Sequence, residues 1–395
     1  MLDFADPQFS LNPYPALAEL RTAGKPVWHE ETGMFLAARH VDANAVLRSK
    51  TLGRIFKPRE PESEWHEFNY LHADSLLDSE PPKHTRLKSL ISKSFNPTTI
   101  RQLRPNIEAI ANRMLDECED KLAKEGSFDL LADFAEPLPV KVISHLLGFP
   151  SDQEHLLRPW SQAIVKMYEV APSEQHKRDA KAASQEFAAF VNELMQNRIE
   201  NPGDDLISSL SLTTAEGDRL SETELIATCV LLLNAGHEAS VNGFGNGMVA
   251  ALGQPEVIAP LRSEPGRVSP TAVEEFVRFD SPLQLFERTA TADTEIGGVE
   301  IKTGQKIAAL LGSANRDETV FEESTRMNLE RDPNPHIAFG AGIHFCIGAP
   351  LARLEMNIAL PLLIERFPGL ELAAEPIRRP SFVLRGYETV LVTNP

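Results

Sequence analysis

A mainly α protein with small β-sheets is the fold class this sequence predicts, on three observations. Apolar residues at helical spacing fill most of residues 84–260, strand-like runs are short and confined to the flanks, and the 29 prolines gather in connections. From Ile100 to Leu122, Leu103, Ile107, Ile110, Met114 and Leu115 recur at three- and four-residue steps, which predicts one helix. Glu174 to Glu200 repeats the pattern with Phe187, Phe190, Val191, Leu194 and Met195. Strands are expected at Val27–Ala37, at Ala290–Ile307 with a turn at Gly297-Gly298, and at Phe382–Val392. Prolines in Lys57 to Pro61 and in Arg331-Asp332-Pro333-Asn334-Pro335 mark long ordered loops. With no Ser/Gly-rich linker, repeat or low-complexity tract, one domain over 1–395 is expected. Its β-rich portions fall near 25–50, 285–310 and 380–395, and its helical portions near 84–280 and 348–366.

A further helix of about thirty residues opens at Ser221, where Ser221 and Glu224 fit a capping box, and runs through Leu225 to about Leu252. Its middle reads Ala235-Gly236-His237-Glu238-Ala239-Ser240. A glycine there weakens the helix by about 1 kcal/mol. Either another helix packs closely on it or something else needs the space.

Composition narrows the function. The 395 residues hold 39 basic and 57 acidic side chains, a net charge of −18, which argues against general attraction to nucleic acid or anionic membrane. Cys118, Cys229 and Cys346 lie far apart with no CxxC pair, so neither a disulfide framework nor a zinc finger is expected, and a reducing cytoplasm fits. The stretch Met1-Leu2-Asp3-Phe4-Ala5-Asp6-Pro7 does not read as a signal peptide. The longest apolar stretch, around Val230–Leu233, is far short of a membrane span. A soluble, cytoplasmic protein is the expectation.

The sharpest segment is Phe339-Gly340-Ala341-Gly342-Ile343-His344-Phe345-Cys346-Ile347-Gly348-Ala349-Pro350. A glycine-rich loop brings Cys346 to the start of a helix continuing through Leu351, Leu354 and Ile358. A thiol there meets the positive helix end and backbone N–H groups, which favour the metal-ligating thiolate. A buried inert cysteine beside a phosphate-binding turn is the alternative, although the spacing is not GxGxxG.

Here the sequence resembles the cytochrome P450 family of haem-thiolate monooxygenases, whose FGxGxHxC-x-G loop it matches in full. The resemblance implies the P450 fold, a triangular, helix-rich single domain, with haem b as cofactor and Cys346 as axial ligand of its iron. Other family signatures follow in order. Glu275-Phe276-Val277-Arg278 looks like the E-x-x-R helix, entered at Ser269-Pro270, and Arg326 matches the third member of that structural trio. The haem propionates require cationic donors. By family position these are His84, Lys88, Arg288 and His344, and Lys88 departs from the usual arginine and loses its fork. Phe339 and Gly340 complete the implied cofactor-binding set.

The implied activity is insertion of one oxygen atom from O2 into a hydrophobic small molecule. The chain shows no flavin or nicotinamide motif, so a separate ferredoxin-type carrier with its own reductase is expected to supply electrons. That carrier would dock on a local basic face including Lys93, Arg101, Arg104 and Arg353. The substrate pocket is expected from Leu231, Asn234 and Ala235, from Leu283, Gln284 and Leu285, and from Val383 and Leu384, with Phe56–Leu77 as a mobile lid. A peroxide-using haem-thiolate peroxygenase and a haem-binding sensor without turnover remain as alternatives. One departure bears on mechanism. The family's long helix usually reads Ala-Gly-x-Asp/Glu-Thr, in which acid and hydroxyl guide protons. Here the acid is Glu238, Ala239 replaces the threonine and Ser240 follows. Alanine makes no hydrogen bond, and Ser240 is turned by about 100° around the helix.

Overall fold

The computed structural model describes residues 2–4, 6–169, 172–212 and 218–395, so Met1 and Ala5 of the N-terminal stretch lie outside the described residues. The chain forms two compact units. The first comprises Met1–Gly53, Arg104–Leu138 and Ala239–Pro395, and the second comprises Arg54–Leu103 and Pro139–Glu238.

The first unit holds the sheets. Five short strands pair in the order Val27–His29, Met34–Ala37, Lys306–Ala309, Phe286–Ala290, Leu52–Gly53. Only the Met34–Ala37 and Lys306–Ala309 pair is parallel. Buried Ala37, Val46, Leu47, Ile301, Ile307, Ala309 and Leu311 pack around this sheet. The expected turn at Gly297-Gly298 joins Thr294–Ile296 to Val299–Ile301, and both glycines have positive φ, which L side chains rarely adopt. At the C-terminal end the regular strands are shorter than Phe382–Val392: they cover Tyr387–Thr389 and Leu391–Thr393, while Leu384 makes one isolated bridge to Leu283.

Helices fill the second unit. Glu62–Ala73, Lys83–Ser94, Pro97–Gln102, Glu154–Val165 and Glu174–Glu200 belong to it. The Glu174–Glu200 helix has the predicted bounds and is capped reciprocally by Ser173 and His176. The helix expected over Ile100–Leu122 is instead two, Pro97–Gln102 and Arg104–Glu125. Pro105 lacks the N–H a continuing helix needs and instead occupies the first turn of the new one.

The long helix is Glu222–Leu252. Its capping box is complete: the Glu224 N–H donates to Ser221 Oγ (3.2 Å) and the Ser221 N–H donates to Glu224 Oε2 (2.9 Å). Gly236 is not a packing glycine, because a Cβ there would sit 3.7 Å from Ile143, an ordinary contact. Close packing begins two turns later, within the first unit. A Cβ on Gly247 would come 1.9 Å from Phe276, and one on Gly245 would come 2.7 Å from Leu131.

Phe276 belongs to the helix that carries E-x-x-R, and that helix runs Pro265–Phe279 rather than opening at Ser269-Pro270. Pro265 takes the first-turn position, and Pro270 sits inside the helix. The Ser269 hydroxyl is directed to Asn357 (3.2 Å) and caps nothing. Glu275 and Arg278 pair through two bonds of 2.7 Å with both side chains fully buried. The third member is Arg331, not Arg326. Arg331 Nε donates to Glu275 (3.1 Å) from a side chain 11% exposed. The Arg326 side chain is 72% exposed and pairs with Glu323; only its backbone carbonyl meets Arg278.

Breaking a buried ion pair by removing one partner strands the other charge, at a cost of about 3–5 kcal/mol. Glu275→Gln and Arg331→Ala should each lose stability on that scale in chemical denaturation, whereas Arg326→Ala should stay within about 0.5 kcal/mol of native. An Arg326→Ala loss matching that of Arg331→Ala would return the third position to Arg326.

Candidate active site

The cysteine loop is built from backbone geometry. Gly340 (φ +72°) and Gly342 (φ +71°) adopt left-handed conformations, and a Cβ on Gly342 would meet the Leu47 carbonyl oxygen at 2.5 Å. The loop closes when the Cys346 N–H donates to the Phe339 carbonyl (2.9 Å). Immediately afterwards Ala349–Arg366 begins as a helix with proline in its first turn. The half-buried Cys346 thiol is pushed up by burial, while the N–H groups of Gly348 and Ala349 pull the other way by hydrogen bonding to sulfur. This is a sulfur with thiolate-stabilising donors, in a site that disfavours a bare anion. A metal cation would resolve the conflict.

Two adjacent glutamates hold the loop and its approaches in place. Besides Arg278 and Arg331, Glu275 accepts the Asn328 N–H (2.8 Å) and Asn334 Nδ2 (3.1 Å). Glu274 accepts from His336 Nε2 (2.8 Å) and from both arms of the Arg353 guanidinium (2.6 and 2.8 Å). That guanidinium also lies over the Phe339 ring, 4.3 Å from its centroid. Arg353, expected on a docking face for an electron carrier, is therefore committed to bracing the loop.

Other expected cofactor residues are distributed over both units. In the first, Arg288 stands on the Phe286–Ala290 strand, 2% exposed, donating to the Glu287 carbonyl (2.9 Å) and lying 4.4 Å from the Phe286 ring centroid. His344 is half-buried in the one-turn 3-10 segment Gly342–His344. In the second, His84 is buried and Lys88 half-buried on the Lys83–Ser94 helix, four residues apart and so on one face. Within the first unit, the buried Arg288 guanidinium and the loop sulfur of Cys346 suit an iron porphyrin, whose two carboxylates need cationic partners.

Along the long helix most residues are buried, yet Leu231 and Ala239 are half-buried and Ala235 is exposed, a stripe at four-residue steps where the helix is accessible. Gly236 and Ser240 flank it, while Asn234, His237 and Glu238 are buried. His237 Nδ1 lies 3.7 Å from Glu238 Oε1, a proximity that sequence spacing did not single out. Of the other expected pocket residues, Leu283 bridges Leu384 and the Gln284 N–H donates to the Val383 carbonyl (2.9 Å), so these two segments adjoin. Leu285 and Val383 are packed in an apolar cluster with Leu2, Phe9 and Phe382. The Gln284 side chain turns into the unit, donating to Ser281 (2.8 Å) and Tyr14 (3.1 Å) and pressing on Gly312. In the expected lid, Trp65, Phe68 and Leu71 are buried on Glu62–Ala73, with Lys181 of the Glu174–Glu200 helix bonded to Glu64 (2.6 Å). Sequence reasoning also passed over Glu355, which burial pushes up to about 8 on the helix after Cys346.

Comparison with known proteins agrees with the geometry. The family model for cytochrome P450 matches residues 26–384. The nocardicin C N-oxygenase of Nocardia uniformis subsp. tsuyamanensis is 38% identical over 391 residues, covering 95% of this chain and 93% of its own. The 6-deoxyerythronolide B hydroxylase of Saccharopolyspora erythraea is 35% identical over 401 residues, covering 98% and 97%. Among solved structures, P450BioI in complex with acyl carrier protein ligated to hexadec-9Z-enoic acid gives a TM-score of 0.92 at 32% identity, covering 98% of this chain and 100% of that one. Among the described residues, no helix is long and apolar enough to cross a membrane.

The Glu274 brace makes the loop acid-sensitive. Burial alone would raise this carboxyl, but hydrogen bonds from Arg353 and His336 outweigh it and hold it at about 2 instead of 4.5. A depressed folded value stabilises in full above the unfolded value, and the contribution is lost as pH falls from 4.5 towards 2. The scale is about 3 kcal/mol. Arg353→Ala should shift the acid-unfolding midpoint to higher pH while costing less when both proteins are compared below pH 2; an unchanged midpoint would contradict the brace.

Proposed function

The chain belongs to the cytochrome P450 family, and from that premise we propose that it inserts one oxygen atom of O2 into a hydrophobic small molecule, with electrons from a separate ferredoxin and reductase. It is an enzyme, a P450 monooxygenase. The observation that carries the reading is Cys346, set by a glycine loop with two left-handed positions at the head of a helix, with two backbone N–H groups on its sulfur. Those groups would temper a thiolate ligand of haem b, and the Glu274 brace would keep the sulfur in place. When bound, the haem supplies oxygen activation, with thiolate ligation favouring O–O cleavage. Arg288, His344, His84 and Lys88 would neutralise its propionates, and Phe339 and Gly340 complete the cofactor-binding set. Leu231, Asn234, Ala235, Leu283, Gln284, Leu285, Val383 and Leu384 are assigned to the substrate side, where the mostly apolar side chains exclude water and favour an apolar ligand.

Proton supply falls to Glu238. Ala239 has no hydroxyl, and Ser240 is turned away by about 100° on a helix of 3.6 residues per turn. We assign the missing role to a polar group of the substrate, acting with ordered water and Glu238.

The central assignment predicts the red-shifted ferrous–carbon monoxide band of a haem thiolate, formed when reduced nicotinamide acts through a ferredoxin–reductase pair. Cys346→Ala should abolish the band; its absence from haem-loaded native protein would sink the assignment, and a band obtained only with a chemical reductant would remove the ferredoxin. Substrate assistance predicts product formed per reduced nicotinamide consumed. Native protein should couple well with its substrate and poorly with an analogue lacking the polar group, and Ala239→Thr should restore coupling for the analogue alone. Equal coupling of both compounds by native protein would leave the relay to protein and water.

A further inference from the structure

Leu384 lies in a turn of the first unit, beyond the short ladder that pairs Ile377–Arg378 with Tyr387–Thr389. Across to the 282–285 segment of the same unit the turn makes one isolated bridge, Leu283 to Leu384. Beside it the Gln284 N–H donates to the Val383 carbonyl and the Arg385 N–H to the Pro282 carbonyl (both 2.9 Å). So short a pairing is marginal by itself, and side chains must fix it. Leu283 and Leu384 are each half-buried between buried neighbours, so the pair presents apolar side chains where the turn is accessible. The residue after each leucine is tied to residues 9–14. Gln284 Nε2 donates to the Tyr14 hydroxyl (3.1 Å), which donates to Asp280 Oδ1 (2.6 Å). Arg385 donates to that same oxygen through Nε (2.7 Å) and to the Ser10 and Leu11 carbonyls through its other two nitrogens. Gln284, Asp280 and Arg385 are at most 3% exposed, where such bonds are strong. Two residues before Leu384, the Phe382 ring meets Phe9 at a centroid distance of 4.8 Å.

We propose that residues 9–14 form a strap that positions the Leu283–Leu384 pair, with Tyr14 and Arg385 as positioning residues that set how closely the site packs on an apolar substrate. This deepens the reading of both leucines as substrate side and rests on it. Tyr14 acts through Gln284 and Asp280, and Arg385 through the backbone beside Leu384. Removing the Tyr14 hydroxyl leaves Asp280 a donor short and Gln284 an acceptor short, while the ring stays beneath the Arg316 guanidinium (3.6 Å to its centroid). Replacing Phe9 by leucine loosens the strap on Phe382 without touching the polar ties. Either change frees the turn, so contact with an apolar ligand falls while the cysteine loop keeps its own brace.

The test uses haem-loaded protein and the visible-band shift on nitrogen ligation of iron, titrated with imidazole, 1-butylimidazole, 1-octylimidazole and 1-dodecylimidazole. Imidazole reports the iron alone, and the alkyl chain reports the apolar site. Leu384→Ala, as a check on the substrate-side reading, should weaken the long-chain probes and spare imidazole. Tyr14→Phe and Phe9→Leu should do the same, by about fourfold for the longest chain, the worth of one buried methylene. In both strap variants the amides of Gln284 and Arg385 should also exchange hydrogen faster. Phe367→Leu, which loosens the Phe128–Phe367 contact in the same unit, should change neither readout. If Leu384→Ala weakens the long probes while the strap variants leave either readout unmoved, the strap is wrong and the substrate-side reading stands. Equal losses in Phe367→Leu would reduce the effect to general loosening and also overturn it. If Leu384→Ala itself leaves the long probes unmoved, the substrate-side reading falls and takes the proposal with it.

Discussion

The adjacent carboxylates of Glu274 and Glu275 are the constraint on which the cysteine loop depends. From Asn315 to Gly348 the chain has almost no regular structure, so helix and sheet ladders do not set its course. Glu275 instead receives Arg278 from its own helix and Asn328, Arg331 and Asn334 from the irregular stretch. Glu274 receives His336 before the loop and Arg353 after it. Arg278 reaches on to the Asn315 and Ser324 carbonyls, and Asn315 in turn accepts the Ile337 N–H. One helix face thus takes hold of the segment at several points over more than thirty residues.

Such a network is costly unless complete, because each buried ion must recover its lost hydration through its partners. Completeness requires the glutamate helix itself to be fixed. That is the part played by Phe276, one residue beyond Glu275, which lies against bare backbone at Gly247 of the long helix. Leu131 meets the same helix at Gly245. A side chain larger than hydrogen at Gly247 would push Phe276 outward and carry the carboxylates with it. The position of the sulfur is therefore traceable, through hydrogen bonds and then packing, to a glycine on another helix.

How much of this the sequence discloses depends on how local each interaction is. The pairing of Glu275 with Arg278 is legible because three residues on a helix define a face, and the Ser221–Glu224 cap is legible for the same reason. The partner fifty-six residues away is not. Arg326 and Arg331 both occupy irregular chain, where no period says which side chain turns inward. The start of the glutamate helix is ambiguous because Pro265 and Pro270 each suit a first turn, and only the tertiary use of the Ser269 hydroxyl decides between them. Arg353 shows the converse: its charge is evident in the sequence, but its use against Glu274 and Phe339 exists only once two helices are packed.

The middle of the long helix breaks local rules without the compensation found elsewhere in it. Gly245 and Gly247 exchange helix propensity for close packing, but Gly236 makes no approach tighter than an ordinary contact, so its cost of about 1 kcal/mol is not recovered by packing. The same two turns expose Ala235, half-expose Leu231 and Ala239, and bury Asn234, His237 and Glu238. Small residues on the accessible side and polar ones on the buried side invert the usual amphipathic order of a helix. Folding alone would favour larger apolar groups at positions 235, 236 and 239 and no amide at 234. A segment that forgoes stability at so many consecutive positions is shaped by what must lie beside it, and departures from local consistency concentrate at functional sites for that reason.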